Sequence, residues 1–335
     1  MMKLGILDGF NKDCTNNYIN ACTELNVDYE LIDLYASDWL QKIKNSNADG
    51  FLCRPPCSIQ ERKTIYDERL YFISHFLNKK IYPSYDENFI YENKRNMYSW
   101  LSLYNFPHIN TNIFVRKNDA LEFIKKCEFP LIIKSNIGAS GSGVFKLNNK
   151  NQANKFIRKS FGYFNGAFTL GILPKKKKFS MNIPLFGHAQ KHFLIFQDWI
   201  ECKWEWRIIK IGNSYFGYKK LIGKTGFASG SLLDGWGEPP LELLKLVTKV
   251  CDVGNFNSMA IDILESLDGR FYINELQCIF GAYNPSQMYI DEKPCRYIYD
   301  GKHYKLEFGY FCQNGCANLR IEHFLELLSK QTKHE

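Results

Sequence analysis

The sequence contains no apolar run that approaches the roughly eighteen residues of a membrane-spanning helix. The first nine residues also lack the features of a secretory signal: their apolar stretch is short, Asp8 interrupts it, and no small-residue cleavage site follows. We therefore expect a cytoplasmic protein without a membrane span, in which the eleven cysteines are reduced thiols.

Several motifs of other protein classes are also missing from the sequence. No G-x-G-x-x-G follows the first predicted strand, which disfavours a dinucleotide-binding fold. The segment 217–225 resembles a Walker loop, but its spacing is one residue too long and it opens no helix. No RRM, helix-turn-helix or zinc-finger pattern occurs, so we expect no nucleic-acid partner. The C-x3-C pairs at 53–57 and 312–316 lack nearby histidines, and a structural zinc site is the weaker interpretation of them.

The sequence does contain ample material for packed cores. Of its 335 residues, 45% are hydrophobic and 16% are aromatic. This length exceeds a single core of usual size, so we expect two or three lobes. The net charge of +8 suits an acidic ligand, and ATP, nucleic acid or an anionic sugar would each satisfy it. We interpret the lysine run at 175–178 as a solvated turn rather than as a ligand site.

Short apolar runs alternate with helical patterns over the first part of the chain. Strands are predicted at 3–7, 29–33, 48–53 and 80–82, and helices at 17–25 and 61–77. This alternation predicts a parallel sheet with crossover helices. Ligands of such sheets bind beyond the carboxyl ends of the strands, which makes Arg54 a candidate substrate contact. The alternative is that Arg54 only caps the end of its strand.

The rest of the chain is predicted to form two further lobes. Helices are predicted at 90–104, 119–127, 153–160, 241–253 and 319–328, with strands at 111–115, 129–134 and 145–147 and antiparallel strands at 193–200, 205–211, 214–221, 258–264 and 270–276. The fold class is therefore α/β with α+β lobes. We expect an N-terminal domain at 1–92, a small lobe at 93–190 and a C-terminal lobe at 191–335.

A glycine-rich loop follows the apolar strand that ends at Lys134. Its small residues include Gly138, Ser140, Gly141, Ser142 and Gly143. Glycines let backbone N–H groups approach phosphate oxygens closely, and Lys134 adds a positive charge beside them. The loop is thus a candidate phosphate site, although glycine-rich turns between strands are also common elsewhere.

Three side chains with oxygen donors lie on the predicted hairpin near the C-terminus. Asp262 and Glu275 occupy its two strands, and matched register would place them side by side. Gln277 follows Glu275 by two residues and therefore shares its face. Mg²⁺ prefers a few carboxylate or carbonyl oxygens, completed by phosphate and water. The alternative is a polar face that is simply exposed to solvent.

The order and spacing of these residues resemble the ATP-grasp superfamily over nearly the whole chain. The resemblance is greatest to D-alanine–D-alanine ligases and ribosomal-protein glutamate ligases. The segment Ser229-Gly230-Ser231 resembles ATP-grasp proteins of bacterial capsule and polysaccharide biosynthesis. The resemblance implies an ATP-grasp fold preceded by a parallel α/β domain, and an enzyme that uses ATP and Mg²⁺.

The resemblance also implies which residues bind ATP and metal. The two lysines that contact the phosphates correspond to Lys94 and Lys134. The hinge strand, whose backbone meets adenine, and the acidic positions near it correspond to Gln197, Asp198, Trp199, Ile200, Glu201 and Glu205. The metal ligands correspond to Asp262, Glu275 and Gln277.

Catalytic and substrate contacts follow from the same resemblance. Arg207 matches an arginine that faces phosphate or substrate, and Lys220 or Lys219 matches a basic residue of the next strand. The candidate substrate contacts are Arg54, Arg207, Ser229, Gly230, Ser231 and the pair at 283–284. Two glycine-rich segments, 138–143 and 223–237, are expected to be lids, with an ordinary surface loop as the alternative for the second.

Three positions depart from the family pattern. Gln277 replaces the usual asparagine, Ala260 stands where some members carry an arginine, and Phe280-Gly281 replaces Pro-Gly. None of these changes removes the acidic residues Asp262 and Glu275, so an active enzyme is expected in preference to a non-catalytic nucleotide-binding regulator.

The expected reaction joins a carboxylate, activated as an acyl phosphate, to an amine. The first choice of carboxylate is a uronic-acid sugar or its nucleotide-linked form, used in bacterial surface polysaccharide synthesis. The second is a peptide or protein that receives an amino acid. The expected partners are these small molecules, and a homodimer is an open option.

Overall fold

The computed structural model describes residues 2–8, 12–57, 59–138, 143–162, 168–170, 188–223, 226–228, 231, 233–282 and 284–331. Its first domain contains a four-stranded parallel sheet in the order β2-β1-β3-β4, which confirms the predicted parallel sheet. The elements are β1 (Lys3–Asp8), α1 (Lys12–Glu24), β2 (Asp28–Asp33), α2 (Trp39–Asn45), β3 (Gly50–Cys53), α3 (Gln60–Tyr71) with a π-helical continuation (Phe72–Phe76), and β4 (Ile81–Tyr82).

The small lobe is built on a second sheet, in the order β5-β10-β6-β7. The elements of this part are α4 (Tyr85–Ile90), α5 (Lys94–Leu103), β5 (Thr111–Phe114), α6 (Lys117–Lys126), β6 (Leu131–Lys134), β7 (Val144–Leu147), α7 (Lys150–Phe161), β8 (Phe168–Leu170), β9 (His188–Gln190) and β10 (Leu194–Asp198). Apolar residues of α6 and α7, among them Ile124 and Ile157, pack on Leu131 and Phe196 of the sheet. Because β10 follows residue 190 yet lies inside this sheet, we propose that the lobe ends near residue 200.

The large lobe is built on an eight-stranded sheet whose main path is β15-β14-β11-β12-β17-β16. Strand β13 pairs with β12, and β18 pairs with β17. The elements are β11 (Cys202–Ile211), β12 (Ser214–Leu221), β13 (Asp234–Gly235), α8 (Leu241–Gly254), β14 (Ser258–Ser266), β15 (Phe271–Gln277), β16 (Tyr289–Ile290), β17 (Lys293–Tyr299), β18 (Tyr304–Phe308) and α9 (Gln313–Gln331). The strands β8, β9, β13 and β16 to β18 and the helices α2 and α4 were not among the predicted elements.

The last helix, α9, returns to the N-terminal sheet. Its residues Ile321 and Phe324 are buried against Leu4 and Ile6 of β1. A Cβ added to Gly50 of β3 would lie 2.3 Å from the Phe324 ring, so glycine is required for this close packing. The end of the chain therefore completes the core of the domain that the beginning of the chain forms.

A buried carboxylate of α4 fastens this helix to the large sheet. Glu87 of α4 is 0% exposed, and its Oε1 accepts N–H groups from Asn257 (2.9 Å) and Ser258 (2.7 Å). Its Oε2 accepts the Ser84 N–H at 2.7 Å, within a capping box at the start of α4. Since Ser258 is the first residue of β14, Glu87 fixes the start of that strand.

Among the described residues, the structure contains no helix with the length and apolar character that crossing a bilayer requires.

We expect Glu87→Ala to destabilise the fold by about 3 kcal/mol, because backbone N–H groups would be left buried without acceptors. Urea unfolding followed by circular dichroism measures this loss. Asp86→Ala is the matched control, since Asp86 is exposed in the same helical turn, and it should change stability by less than about 1 kcal/mol. Equal losses in the two variants would contradict the role assigned to Glu87.

Candidate active site

The predicted hairpin brings site residues into one row across the large sheet. Asp262 of β14 lies opposite Glu275 of β15 on one side and opposite Arg207 of β11 on the other. Arg207 in turn lies opposite Tyr218 of β12. Residues that oppose each other in antiparallel strands point to the same face, so these side chains form a continuous row.

Asp262 is the centre of this row, and it is held by two cations. The Nε and Nη2 atoms of Arg207 each donate to one carboxylate oxygen at 2.8 Å, and Lys220 Nζ donates to Oδ2 at 2.6 Å. Burial opposes the charge of Asp262, but Arg207 and Lys220 outweigh it and lower the pKa to about 2. Asp262 is therefore a fully ionised buried carboxylate at neutral pH.

The same two cations reach further side chains of the site. Arg207 Nη2 donates to Gln277 Oε1 at 2.9 Å. Lys220 Nζ also forms an ion pair with Glu205, which is buried on β11. Charge-assisted hydrogen bonds of this kind hold both partners in a defined orientation. The four strands that carry these residues thus present one connected polar network.

A β-bulge in the hairpin adds a residue that sequence analysis missed. The register shifts between Asp262 and Ile263, so that Asn274 has no partner on β14. Asn274 Oδ1 accepts from Lys134 Nζ at 2.8 Å, and its Nδ2 donates to Glu205 at 2.7 Å. Strict alternation would place Asn274 on the face opposite Glu275, and the bulge instead directs both side chains into the site.

Lys134 differs from the other cations in having neutral hydrogen-bond partners. Besides the Asn274 oxygen, its Nζ donates to the Tyr98 hydroxyl at 2.8 Å. Burial and the nearby charge of Lys94 lower the pKa of Lys134 to about 7. Tyr98 of α5 was also missed from the sequence; its hydroxyl accepts from Gln197 at 3.0 Å and donates to the Asn274 carbonyl at 3.1 Å.

Lys94 and the start of the glycine-rich loop form the neighbouring part of the site. Lys94 pairs with Glu275 at 3.1 Å; burial opposes its charge, but Glu275 and Glu92 raise its pKa above the ordinary value. Glu92 accepts the Gly138 N–H at 2.9 Å. The Asn136 side chain accepts the Arg95 N–H at 3.0 Å. These contacts fix the beginning of the loop to the N-terminus of α5.

At the other end of the loop, Gly143 packs directly on Ser135. A Cβ at Gly143 would lie 1.7 Å from Ser135 Oγ, so the close approach requires glycine. The predicted loop residues Ser140, Gly141 and Ser142 lie outside the described residues.

A cleft between the small-lobe sheet and the large sheet leads to this network. Its apolar walls include Ile132, Val144, Trp199, Phe227 and Leu264, and its polar lining includes Lys134, Gln197, Asp198, Glu205 and Asn274. The Trp199 and Phe227 rings meet edge to face at 5.9 Å, and Lys146 Nζ lies 3.7 Å from the centre of the Trp199 ring. The cleft thus combines apolar walls with a cationic group at Lys134.

Of the remaining residues predicted to bind nucleotide or to act in catalysis, some line the cleft and others lie outside it. Ile200 lines the cleft, whereas Glu201 is exposed and is not part of its described lining. Lys219 lies on the opposite face of the sheet, over the rings of Trp204 and Trp206, so Lys220 is the lysine of the pair that enters the site.

Of the predicted substrate contacts, Arg54 follows β3 directly, and its backbone N–H donates to Tyr66. Ser231 closes a local turn, where its Oγ accepts the Leu233 N–H at 3.2 Å. Ser229, Gly230 and Tyr283 lie outside the described residues.

Within the part of the chain that the structure describes, no group of three or more His, Cys, Asp or Glu side chains is arranged to hold a metal ion. A metal ion on Asp262 and Glu275 would therefore also need the Gln277 amide oxygen or oxygens from a bound ligand.

Comparisons with family models and with curated proteins find no match. Solved structures do match. D-alanine–D-alanine ligase from Bacillus anthracis has a TM-score of 0.56 at 13% identity, covering 99% of this chain and 100% of that one. An ADP complex of N5-carboxyaminoimidazole ribonucleotide synthetase has a TM-score of 0.61 at 11% identity, covering 100% and 98%. A RimK domain ATP-grasp protein from Sphaerobacter thermophilus has a TM-score of 0.51 at 13% identity, covering 82% and 90%. Identities this low establish the architecture, and the architecture agrees with the expectation from the sequence: this chain has the ATP-grasp fold.

Proposed function

We propose that the protein is an ATP- and Mg²⁺-dependent ligase that activates a carboxylate as an acyl phosphate and joins it to an amine, with release of ADP and phosphate. One observation carries this proposal: four cations, the buried Lys94 and Lys134 and the partly buried Arg207 and Lys220, are joined by carboxylates and by Asn274 into one network beside an apolar cleft that Lys134 lines. Converging cations stabilise the charge that develops during phosphoryl transfer.

The residue types that line the cleft are suited to a nucleotide. Apolar walls suit the adenine ring, and Lys134, whose described hydrogen-bond partners are neutral, is available to a phosphate oxygen. The cleft has a volume of only about 70 Å³, whereas ligand pockets usually enclose about 300–1,000 Å³. We therefore expect the cleft to widen when a nucleotide binds, as in enzymes whose lobes close over the substrate.

The donor chemistry of Asp262, Glu275 and Gln277 fits Mg²⁺, which prefers carboxylate and amide oxygens. When bound, Mg²⁺ would supply positive charge to the phosphate oxygens. Arg207 and Lys220 already hold Asp262, so the metal would share this carboxylate with them. Gln277 is oriented by its bond to Arg207.

Arg207 and Lys220 are the proposed catalytic residues. Arg207 lies directly across from Asp262, which supports the view that it supplies the charge absent at Ala260. Its guanidinium is rigid and permanently charged, so it can orient an anionic carboxylate and stabilise the phosphoryl group during transfer. Lys220 adds a second positive charge on the other side of Asp262.

For the carboxylate we keep the proposal of a uronic-acid sugar used in surface polysaccharide synthesis. It rests on the sequence of the Ser229-Gly230-Ser231 segment alone. A peptide or protein that receives an amino acid is the alternative, and a non-catalytic nucleotide-binding regulator is the alternative of another class. We also propose a cytoplasmic location and a homodimer.

We expect Asp262→Asn to lower ADP release at least about a hundredfold, because it removes the charge that orders Arg207, Lys220 and the metal. ADP release is measured with Mg²⁺-ATP against a matrix of carboxylates and amines, with amide products identified by mass. Asp252→Asn, at an exposed carboxylate of α8, is the control and should retain full activity. Nucleotide binding without turnover across the matrix, unchanged by Asp262→Asn, would support the regulator instead.

The affinity for ADP should fall about tenfold or more between pH 7 and pH 9. The free protein loses the Lys134 proton in this range, since its pKa is about 7, and the proton must be regained to bind phosphate. Lys134→Arg should flatten this dependence, because guanidinium stays charged. Titration calorimetry at fixed Mg²⁺ measures both proteins, and parallel pH profiles would contradict the role of Lys134.

A further inference from the structure

A second cavity, of about 520 Å³, lies at the far edge of the same sheet face. Its lining includes the rings of Trp236 and Tyr289, the amide of Asn284 and the carboxylates of Asp291 and Glu292. We name it the Trp236 pocket. Its volume falls in the usual range of small-molecule sites, about 300–1,000 Å³, and none of the four site cations lines it.

The ladder between β12 and β13 connects this pocket to the active site. Asp234 of β13 lies opposite Lys220, the residue that holds Asp262. Opposed residues share a face, so Asp234 borders the site on the side away from Asp262. Asn284 of the pocket donates to Asp234 at 3.1 Å. The pocket therefore begins one strand beyond Lys220.

A row of aromatic rings makes the same connection two residues further along the strands. Tyr218, which lies opposite Arg207, packs on Trp236 with ring centres 5.6 Å apart. Trp236 meets Tyr289 edge to face at 4.7 Å. Neighbouring strands are about 4.8 Å apart, so Trp236 lies roughly 10 Å from Arg207 across the sheet.

The Trp236 pocket gathers negative charge. The protein has a net charge of +8, yet Asp234, Asp291 and Glu292 gather three carboxylates around the pocket. Trp236 is 41% exposed beside them. An exposed indole face next to carboxylates attracts organic cations, through the ring quadrupole and through direct ion pairing.

We propose that the Trp236 pocket binds the far end of the amine substrate, and that this substrate is an extended amine with a second positive charge, such as a diamine or a basic amino acid. This inference rests on the proposed ligase function. A molecule of this class reaches from the pocket to the Arg207–Lys220 pair, where its other amine meets the activated carboxylate. A small neutral amino acid is too short to make both contacts.

The test compares 1,5-diaminopentane with 1-aminopentane, which has the same carbon chain but no second charge. Binding of each to the full-length protein is measured by calorimetry, and each is also used as the amine in the ADP-release assay. The diamine should bind about tenfold more tightly than the monoamine, because the second ammonium gains the carboxylates and the indole.

The double variant Asp291→Asn/Glu292→Gln and the variant Trp236→Ala should each remove most of this preference. Glu128→Gln, at an exposed carboxylate of the small lobe, is the matched control and should keep it. ADP affinity should be unchanged in every variant, which shows that they are folded and that the nucleotide cleft is intact. Equal binding of the two amines, or a preference that survives both pocket variants, overturns the inference.

The two proposals fail in different ways. Turnover with neutral amines whose KM is unchanged by the pocket variants overturns the pocket as the amine site and leaves the ligase standing. Diamine binding that depends on Trp236, with no ADP release for any amine, overturns the ligase and leaves a cation-binding pocket.

Discussion

A carboxylate buried inside a protein must be balanced by opposite charge. At Asp262 the balancing charges come from Arg207 and Lys220, and the geometry of the site depends on these ion pairs. Asp262 is 1% exposed on β14, an interior strand of the large sheet. Arg207 from β11 and Lys220 from β12 both reach it, and Lys220 in turn requires Glu205. Removing one member of such a group leaves a buried charge uncompensated, at a cost of about 3–5 kcal/mol. The register of the central strands is therefore coupled to the geometry of the cations.

The charges of the site are balanced in number, yet the described hydrogen bonds of one cation go to neutral groups. The carboxylates of Glu92, Glu205, Asp262 and Glu275 are matched in number by Lys94, Lys134, Arg207 and Lys220. Lys134 is the member whose hydrogen bonds go to neutral groups and whose pKa is lowered to about 7. A phosphate placed beside it would favour the charged form and provide the missing partner. The anion would thus complete the network rather than compete with it.

The features that the sequence predicted correctly are those set by local pattern. The parallel sheet and the hairpin that pairs Asp262 with Glu275 follow from apolar periodicity and from a turn at Asp268-Gly269. Asn274 could not be found this way, because a bulge depends on the partner strand and not on alternation within β15. Tyr98 has the pattern of a core residue of α5, and its hydroxyl contacts residues far away in sequence.

Long-range packing explains why several larger features of the fold could not be predicted from the sequence. The amphipathic pattern of α9 predicts a helix but carries no information about its partner, which lies more than three hundred residues earlier in β1. The short strands β16 and β18 depend on pairing with β17 for their definition. The Trp236 pocket forms between β13 and the segment around β16. These segments are far apart in the sequence, so the pocket could not be predicted from it.

The narrow cleft and the unusual environment of Lys134 have a common origin. Lys134 belongs to the small-lobe sheet, whereas Asn274 belongs to the large sheet, so their hydrogen bond spans the cleft. In the proposed ligase, widening the cleft to admit a nucleotide would lengthen this bond and bring water to Lys134. Hydration relieves the burial that lowers its pKa, so the lysine gains its proton as the cleft opens. In the proposed ligase, opening and charging would therefore be coupled: the form that admits the nucleotide would also be the form in which Lys134 carries its proton.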